Sequence, residues 1–212
     1  LQEYDLDEST AFGSMKLQAN KVITQVECSY EFMRAPNAPA ILLDLLSNAL
    51  AAEIDRVALT GNPGVSGGAC PTGIVNTSGI LTAAATGATI GWDQLFDVLG
   101  ALQAVNTNPN AMLLPPAVNT YLAKRKDGAG NYQVLPGDLA SLQKIVTSKM
   151  TAETLIMGSF QDLVLVPFGK MEVNTTRDVK GRRGSFLIEV VSYFDCGVVW
   201  PGHFHALTGI TS

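Results

Sequence analysis

The sequence predicts an α+β chain, and three observations predict it. Residues 41–60 are an almost unbroken run of helix formers, with Leu42, Leu46, Ala49, Ile54 and Val57 recurring near the helical period. Trp92, Leu95, Phe96, Leu99 and Leu102 repeat that pattern in a second, shorter segment. Short runs rich in Val, Ile and Leu crowd the second half of the chain, separated by Gly, Pro and Asn. There is no internal repeat and no low-complexity tract.

Taken in order, residues 1–20 open with Glu3, Asp5, Asp7 and Glu8 and hold few apolar residues, which predicts an exposed arm. From 21 to 28, Val22, Thr24, Val26 and Cys28 alternate with Ile23, Gln25 and Glu27, the two-residue period of a strand. The prolines of segment 34–39 then break any regular element. A helix over 41–60 would be about 30 Å long, a structural spine. Leu43, Leu45 and Leu50 widen its apolar stripe. Asp44 would sit in its first turn, complementing the helix dipole, and Gly61 would stop it.

Residues 61–79, rich in Gly, Pro, Ser and Asn, read as a loop. The helix begun at Trp92 closes at Asn106-Thr107-Asn108-Pro109, and 111–114 is a short buried strand. Pro116 can open a third helix, to about residue 125, because a first-turn N–H has no partner to lose. Asp127-Gly128 marks a turn. Segments 144–147, 155–157 and 163–166 are β-rich, and 171–175 alternates. A basic loop (Arg177, Lys180, Arg182, Arg183) separates that piece from a longer strand pattern over 185–194, so the two read as a hairpin with a charged tip.

Composition narrows the class. At 212 residues the chain can hide roughly 70% of its unfolded surface. Charged residues are 16% of it, against an expected ~25%, and hydrophobic residues 47%. With a mean hydropathy of +0.20, the charges are too few to cover a lone globule, so other protein is expected to cover part of it. A net charge of −5 argues against a dedicated nucleic-acid binder, which needs a basic field. No run approaches the ~20 apolar residues of a membrane helix. The N-terminus lacks a signal peptide and an initiator Met, which reads as processing or a fragment. Cys28, Cys70 and Cys196 share no close spacing and read as thiols packed in a reducing compartment.

Candidate chemistry is sparse. His203-x-His205 would put two imidazoles on one face of a strand, a possible start of a zinc site, but no third ligand is near in sequence. Cys70 lies in a Gly-rich loop without a neighbouring base to activate it. The run Gly61 to Gly68 lacks the Lys-Ser/Thr pair of a phosphate loop. Asp127-Gly128-Ala129-Gly130-Asn131 lacks the acids of an EF-hand. Glu53 and Asp55, two apart, do not share a helix face. No catalytic constellation, metal site or cofactor is expected.

One order of pieces is specific. A strand ending Ser29-Tyr30-Glu31 leads to a long helix ending Glu53-Ile54-Asp55-Arg56-Val57-Ala58-Leu59-Thr60-Gly61-Asn62. Pro71-Thr72-Gly73-Ile74-Val75-Asn76 follows. Then come Trp92-Asp93-Gln94-Leu95, Met157-Gly158-Ser159-Phe160 and Val198-Val199-Trp200-Pro201. From about Ala19 onward this resembles the major capsid protein family of tailed bacteriophages, with its Hong Kong 97-type fold.

The resemblance implies an end of an extended loop or arm over residues 1–20. It implies a peripheral lobe from 21–80 and 161–200, carrying the spine helix 41–60 and the long hairpin. An axial α/β lobe, from 81–160 and 201–212, would meet its copies at the centre of hexamers and pentamers. It also implies a portal, a scaffold segment and a maturation protease as partners, and enclosed DNA held without specific binding. The place of the protein would be the virion capsid, assembled in the host cytoplasm. Some members join subunits by an isopeptide bond from a lysine, here Lys16 or Lys21, to an asparagine assisted by a glutamate. The matching stretch carries Ser185, with Glu189 nearby, so no such cross-link is expected. The inter-subunit contacts are expected between the acidic arm (Glu3, Asp5, Asp7, Glu8) and the basic tip (Arg177, Lys180, Arg182, Arg183). Two rival readings are an encapsulin-like bacterial compartment and a small cytosolic enzyme using Cys70 or His203/His205.

Overall fold

Strand β1 (Asn20–Ser29) keeps the alternation of its sequence: Val22, Thr24 and Val26 are half-buried and Cys28 is buried, while Lys21, Ile23, Gln25 and Glu27 face outward. The computed structural model describes residues 14–65, 67, 70–85, 90–176 and 184–210. A short 3-10 turn (Phe32–Arg34) follows β1, and helix α1 runs from Ala38 to Thr60. It starts three residues before the expected position, because Pro39 falls in the first turn, where a missing N–H costs nothing. Asp44 is therefore in the second turn, not the first.

The face α1 buries is narrower than its sequence suggests. Ala38, Leu42, Leu46 and Leu50 follow each other every four residues and are buried, and the three leucines pack on Cys28, Phe186, Ile188 and Val190. Leu43 (43% exposed), Leu45 (54%) and Ala49 stay outside, against the expected wide stripe. One layer covers only one side of a helix, so the remaining leucines stay exposed among the described residues.

The first sheet has β8 (Ser185–Val198) at its centre, longer at its C-terminal end than expected. On one edge β1 pairs with it antiparallel from Asn20↔Phe194 to Ser29↔Ser185. On the other edge β6 (Leu163–Pro167) and β7 (Glu172–Thr176) lie end to end, so 163–176 acts as one long strand with a break. Gly169, at φ 86°, turns the chain inside that break. The expected hairpin of 171–175 with 185–194 is present in β7 and β8; its tip lies outside the described residues.

The second sheet has the order β2-β9-β5-β3-β4, with β2 Leu81–Ala84, β3 Ala111–Leu114, β4 Gln143–Val146, β5 Leu155–Gly158 and β9 Phe204–Thr208. Every residue of β3 and β5 is buried, because both faces are covered. On one face Met112, Leu114, Leu155, Met157 and Leu207 meet Leu95, Val98, Leu99 and Leu102 of α2 (Trp92–Ala104). Val118 and Leu122 of α3 (Pro116–Ala123) and Leu139 of the short α4 (Gly137–Ala140) complete that layer. On the other face Ala111, Leu113, Ile156 and Phe204 meet Leu59, Ile74, Met150 and Val198, which ties the two sheets together. The sequence reading missed β2, whose Leu-Thr-Ala-Ala is short and poor in β formers. It is a strand because β9 offers it a parallel edge.

Candidate assembly surfaces

The segment after α1 explains why its residues come in that order. Gly61 N–H donates to the Val57 carbonyl at 2.8 Å, and Gly73 N–H donates to the Gly61 carbonyl at 2.9 Å. A Cβ on Gly73 would meet Thr60 N and Val57 O at 2.7 Å, so only glycine lets the two backbones touch. Asn76 then reaches back: its Nδ2 donates to the Thr60 and Gly61 carbonyls at 3.1 and 3.0 Å, capping the helix end. These residues occur in the sequence as an ordered pattern, and the clamp between helix end and loop is its physical content.

Beside this clamp, a cavity of about 330 Å³ is lined by Lys21, Ile23, Glu53, Arg56 and Cys70. Arg56 donates to both Glu53 oxygens, at 2.9 and 2.6 Å, which holds the Glu53 carboxyl below its usual range and the guanidinium above its own. Cys70 is half-buried there, with Sγ 3.3 Å from the Pro71 carbonyl. Cys196 lies buried, its Sγ 3.5 Å from the Thr72 carbonyl, and burial, then Asp195, push its thiol up to about 11. Burial also raises Cys28. All three are free thiols.

The two histidines are separated, against the expected shared strand face. His203 ends a 3-10 turn (Pro201–His203), its Nδ1 2.7 Å from Asp162 Oδ2 and its ring stacked on Trp200 at 5.9 Å. His205 lies in β9, opposite Met157 of β5 and Leu81 of β2, under the helices. Burial pushes its pKa down, and its Nδ1 has no hydrogen-bond partner among the described residues. Neither imidazole stands beside Cys70, whose cavity is walled by Lys21, Glu53 and Arg56 instead.

Ser185 donates from Oγ to Glu27 Oε1 at 2.8 Å, and Asn174 Nδ2 lies 3.4 Å from Glu189 Oε1. Asp127 forms the expected turn, accepting from the N–H groups of Ala129 and Asn131 at 2.9 and 2.8 Å. The eight charged contact residues expected from the sequence, Glu3, Asp5, Asp7, Glu8, Arg177, Lys180, Arg182 and Arg183, all lie outside the described residues.

What the surface does offer is apolar. Ile41 (57% exposed), Leu43 and Leu45 stand on the outer side of α1, and Val199 and Trp200 (60%) follow β8. Among the described residues no group of three or more His, Cys, Asp or Glu could hold a metal, and no helix is long and apolar enough to cross a membrane. The chain thus combines a spine helix, an elongated hairpin sheet and a second sheet whose strands β3 and β5 are buried on both faces, with large apolar side chains left exposed.

The phage capsid family model matches residues 2–209. The chain belongs to the phage capsid family: it is a major capsid structural protein, and its place is the virion capsid. No curated protein matches it in sequence. Solved structures share its Hong Kong 97-type fold. The capsid of an empty GTA particle is 14% identical with a TM-score of 0.73, covering 98% of this chain and 80% of that one. The structure from Mycobacterium phage Ogopogo is 16% identical with a TM-score of 0.69, covering 98% and 83%. A virus-like particle from Pyrococcus furiosus is 14% identical with a TM-score of 0.59, covering 89% and 76%. These likenesses are of fold, and the phage family match does not favour the compartment reading.

Proposed function

We propose that this chain assembles into hexamers and pentamers that close an icosahedral shell around phage DNA. The observation that carries the reading is the phage capsid family match over residues 2–209. The low charge fraction and the uncovered leucines of α1 support it, because interface cores are depleted in charge. In this reading the first sheet with α1 is the peripheral lobe, and the second sheet with α2 and α3 is the axial lobe. Residues 1–20 reach a neighbour, and a portal, a scaffold segment and a maturation protease act during assembly. No catalytic role is assigned to Cys70, His203 or His205. The net charge of −5 suits a wall that does not grip its genome.

The test is sedimentation with negative-stain imaging of the full chain expressed with its neighbouring protease. Closed particles of megadalton mass are expected. A strict monomer or dimer under assembly-permissive salt would overturn the reading. The pairing of the acidic arm with the basic tip predicts that charge reversal at Arg182 and Arg183 impairs assembly more at low salt than at high. Unchanged yield would remove that pairing alone.

A further inference from the structure

The second sheet ends on two open edges. β2 and β4 are each four residues long, and neither has a strand on its outer side among the described residues. β2 is parallel to β9, β9 and β3 are both antiparallel to β5, and β4 is parallel to β3; the two edge strands therefore run in the same direction. An open edge is a template for another strand, and a protein must either blunt it or use it.

The edges differ in charge on the same face of the sheet. At the β2 edge, a cavity of about 320 Å³ opens between α2 and the strands, with Gln94, Asp97 and His205 as its polar walls. His205 is 5% exposed and its Nδ1 has no hydrogen-bond partner among the described residues. Because burial favours its neutral form, Asp97 supplies the formal charge of the cavity. Asp97 is exposed and has no ion-pair partner among the described residues. At the β4 edge stands Lys144, exposed and likewise without one. Its register partner is Met112, a member of the helix-side core, so Lys144 projects on the helix-covered side. His205 shares that side, since its register partners Met157 and Leu81 belong to the same layer. Val146, 43% exposed and paired with Leu114 of the same layer, adds apolar surface on the lysine's side.

We propose that neighbouring copies meet head to tail along these edges, β4 of one copy beside β2 of the next, with Lys144 seated at the Gln94–Asp97–His205 cavity. The proposal rests on the shell reading and names its contact within a capsomer. The contact is heterologous: one surface meets a different surface of the next copy, and repetition about an axis closes a ring. The same direction of the two strands suits a ring axis running along them, since rotation about that axis preserves their sense. The occupant is a second copy because one chain carries both halves of the match, an anion at one edge and a cation at the other, each without an ion-pair partner among the described residues.

The test uses shells assembled from the full chain. Asp97→Lys and Lys144→Asp should each cut the yield of closed particles at least about tenfold, since like charges would face each other, and the double variant should restore it. In a second arm, Asp97→Cys combined with Lys144→Cys is treated with a short bifunctional maleimide in assembled shells. A denaturing gel should show a ladder ending at five or six copies, above each single-cysteine control. The single-cysteine controls carry the same native thiols, so the ladder above them reads the two introduced positions even if a charge-reversed variant fails to fold. Wild-type yield from all the reversals, or no ladder above the controls, would overturn the contact and leave the shell reading intact. Failure of the unaltered chain to form particles would instead overturn the shell reading, and this contact with it.

Discussion

The two sheets of this subunit differ in their strands and in what covers them. In the second sheet, β3 (Ala-Met-Leu-Leu) and β5 (Leu-Ile-Met-Gly) are buried at every position. In the first, β1 alternates and β7 is exposed at four of its five residues. Covering layers make the difference. The second sheet lies between the α2–α3 layer and the cluster around Phe204, whereas α1 covers one face of the first. A doubly covered sheet can be a rigid block with continuous apolar strands. A singly covered one keeps a face for something outside the chain.

The sharpest way to break this comparison is at the joint between them. Gly73→Ala should cost about 3 kcal/mol or more, at the upper end of overpacking, because its Cβ meets backbone at 2.7 Å on Thr60 and Val57. Chemical denaturation of the variant measures it, and a loss below 1 kcal/mol would show that the clamp can open without harm. Next, Ile156→Ala, fully buried at the centre of the second sheet, should cost about 2–5 kcal/mol. Ile23→Ala, 47% exposed on the first sheet, should stay within about 0.5 kcal/mol in the isolated subunit. Equal costs at the two positions would erase the distinction between the sheets.

A smaller effect depends on pH. Burial lowers the His205 pKa in the folded chain, so above the ordinary value of about 6.5 both states are neutral and nothing is lost. As the pH falls below it, the unfolded chain takes the proton first, and folding stability declines toward the lowered folded value. His205→Leu should flatten that part of the stability curve, read as denaturation midpoints across pH 7.5 to 5; an unchanged slope would contradict it. Least disruptive is a thiol count. A soluble disulfide reagent should modify half-buried Cys70 in the native protein, and reach Cys28 and Cys196 only after unfolding. Rapid reaction of all three would mean that the first sheet opens readily.

Particular residues show how far the chain could be read unaided. The strand at 111–114 matches β3, and Trp92 to Leu102 lies within α2, because strong periodicity and flanking breakers agree there with the final packing. The order Gly61, Gly73, Asn76 was visible, but its meaning as a backbone clamp needed the helix end and the loop side by side. β2 was invisible, since Leu-Thr-Ala-Ala becomes a strand only where β9 lends it hydrogen bonds. His203 and His205 were placed on one face by spacing alone. A 3-10 turn ending at His203 aims one ring at Asp162 and the other into the helix–sheet layer.

Sequence by itself determined the α+β class, the spine helix, the hairpin and the family, because these rest on local period, turn residues and the order of elements. Only the tertiary structure decided which leucines of α1 are core and which are surface. It also decided that β5 is buried on both faces, and that Asp97 and Lys144 share one side at opposite edges. Burial depends on what covers a face. Covering joins residues far apart in the chain, and no local pattern encodes it.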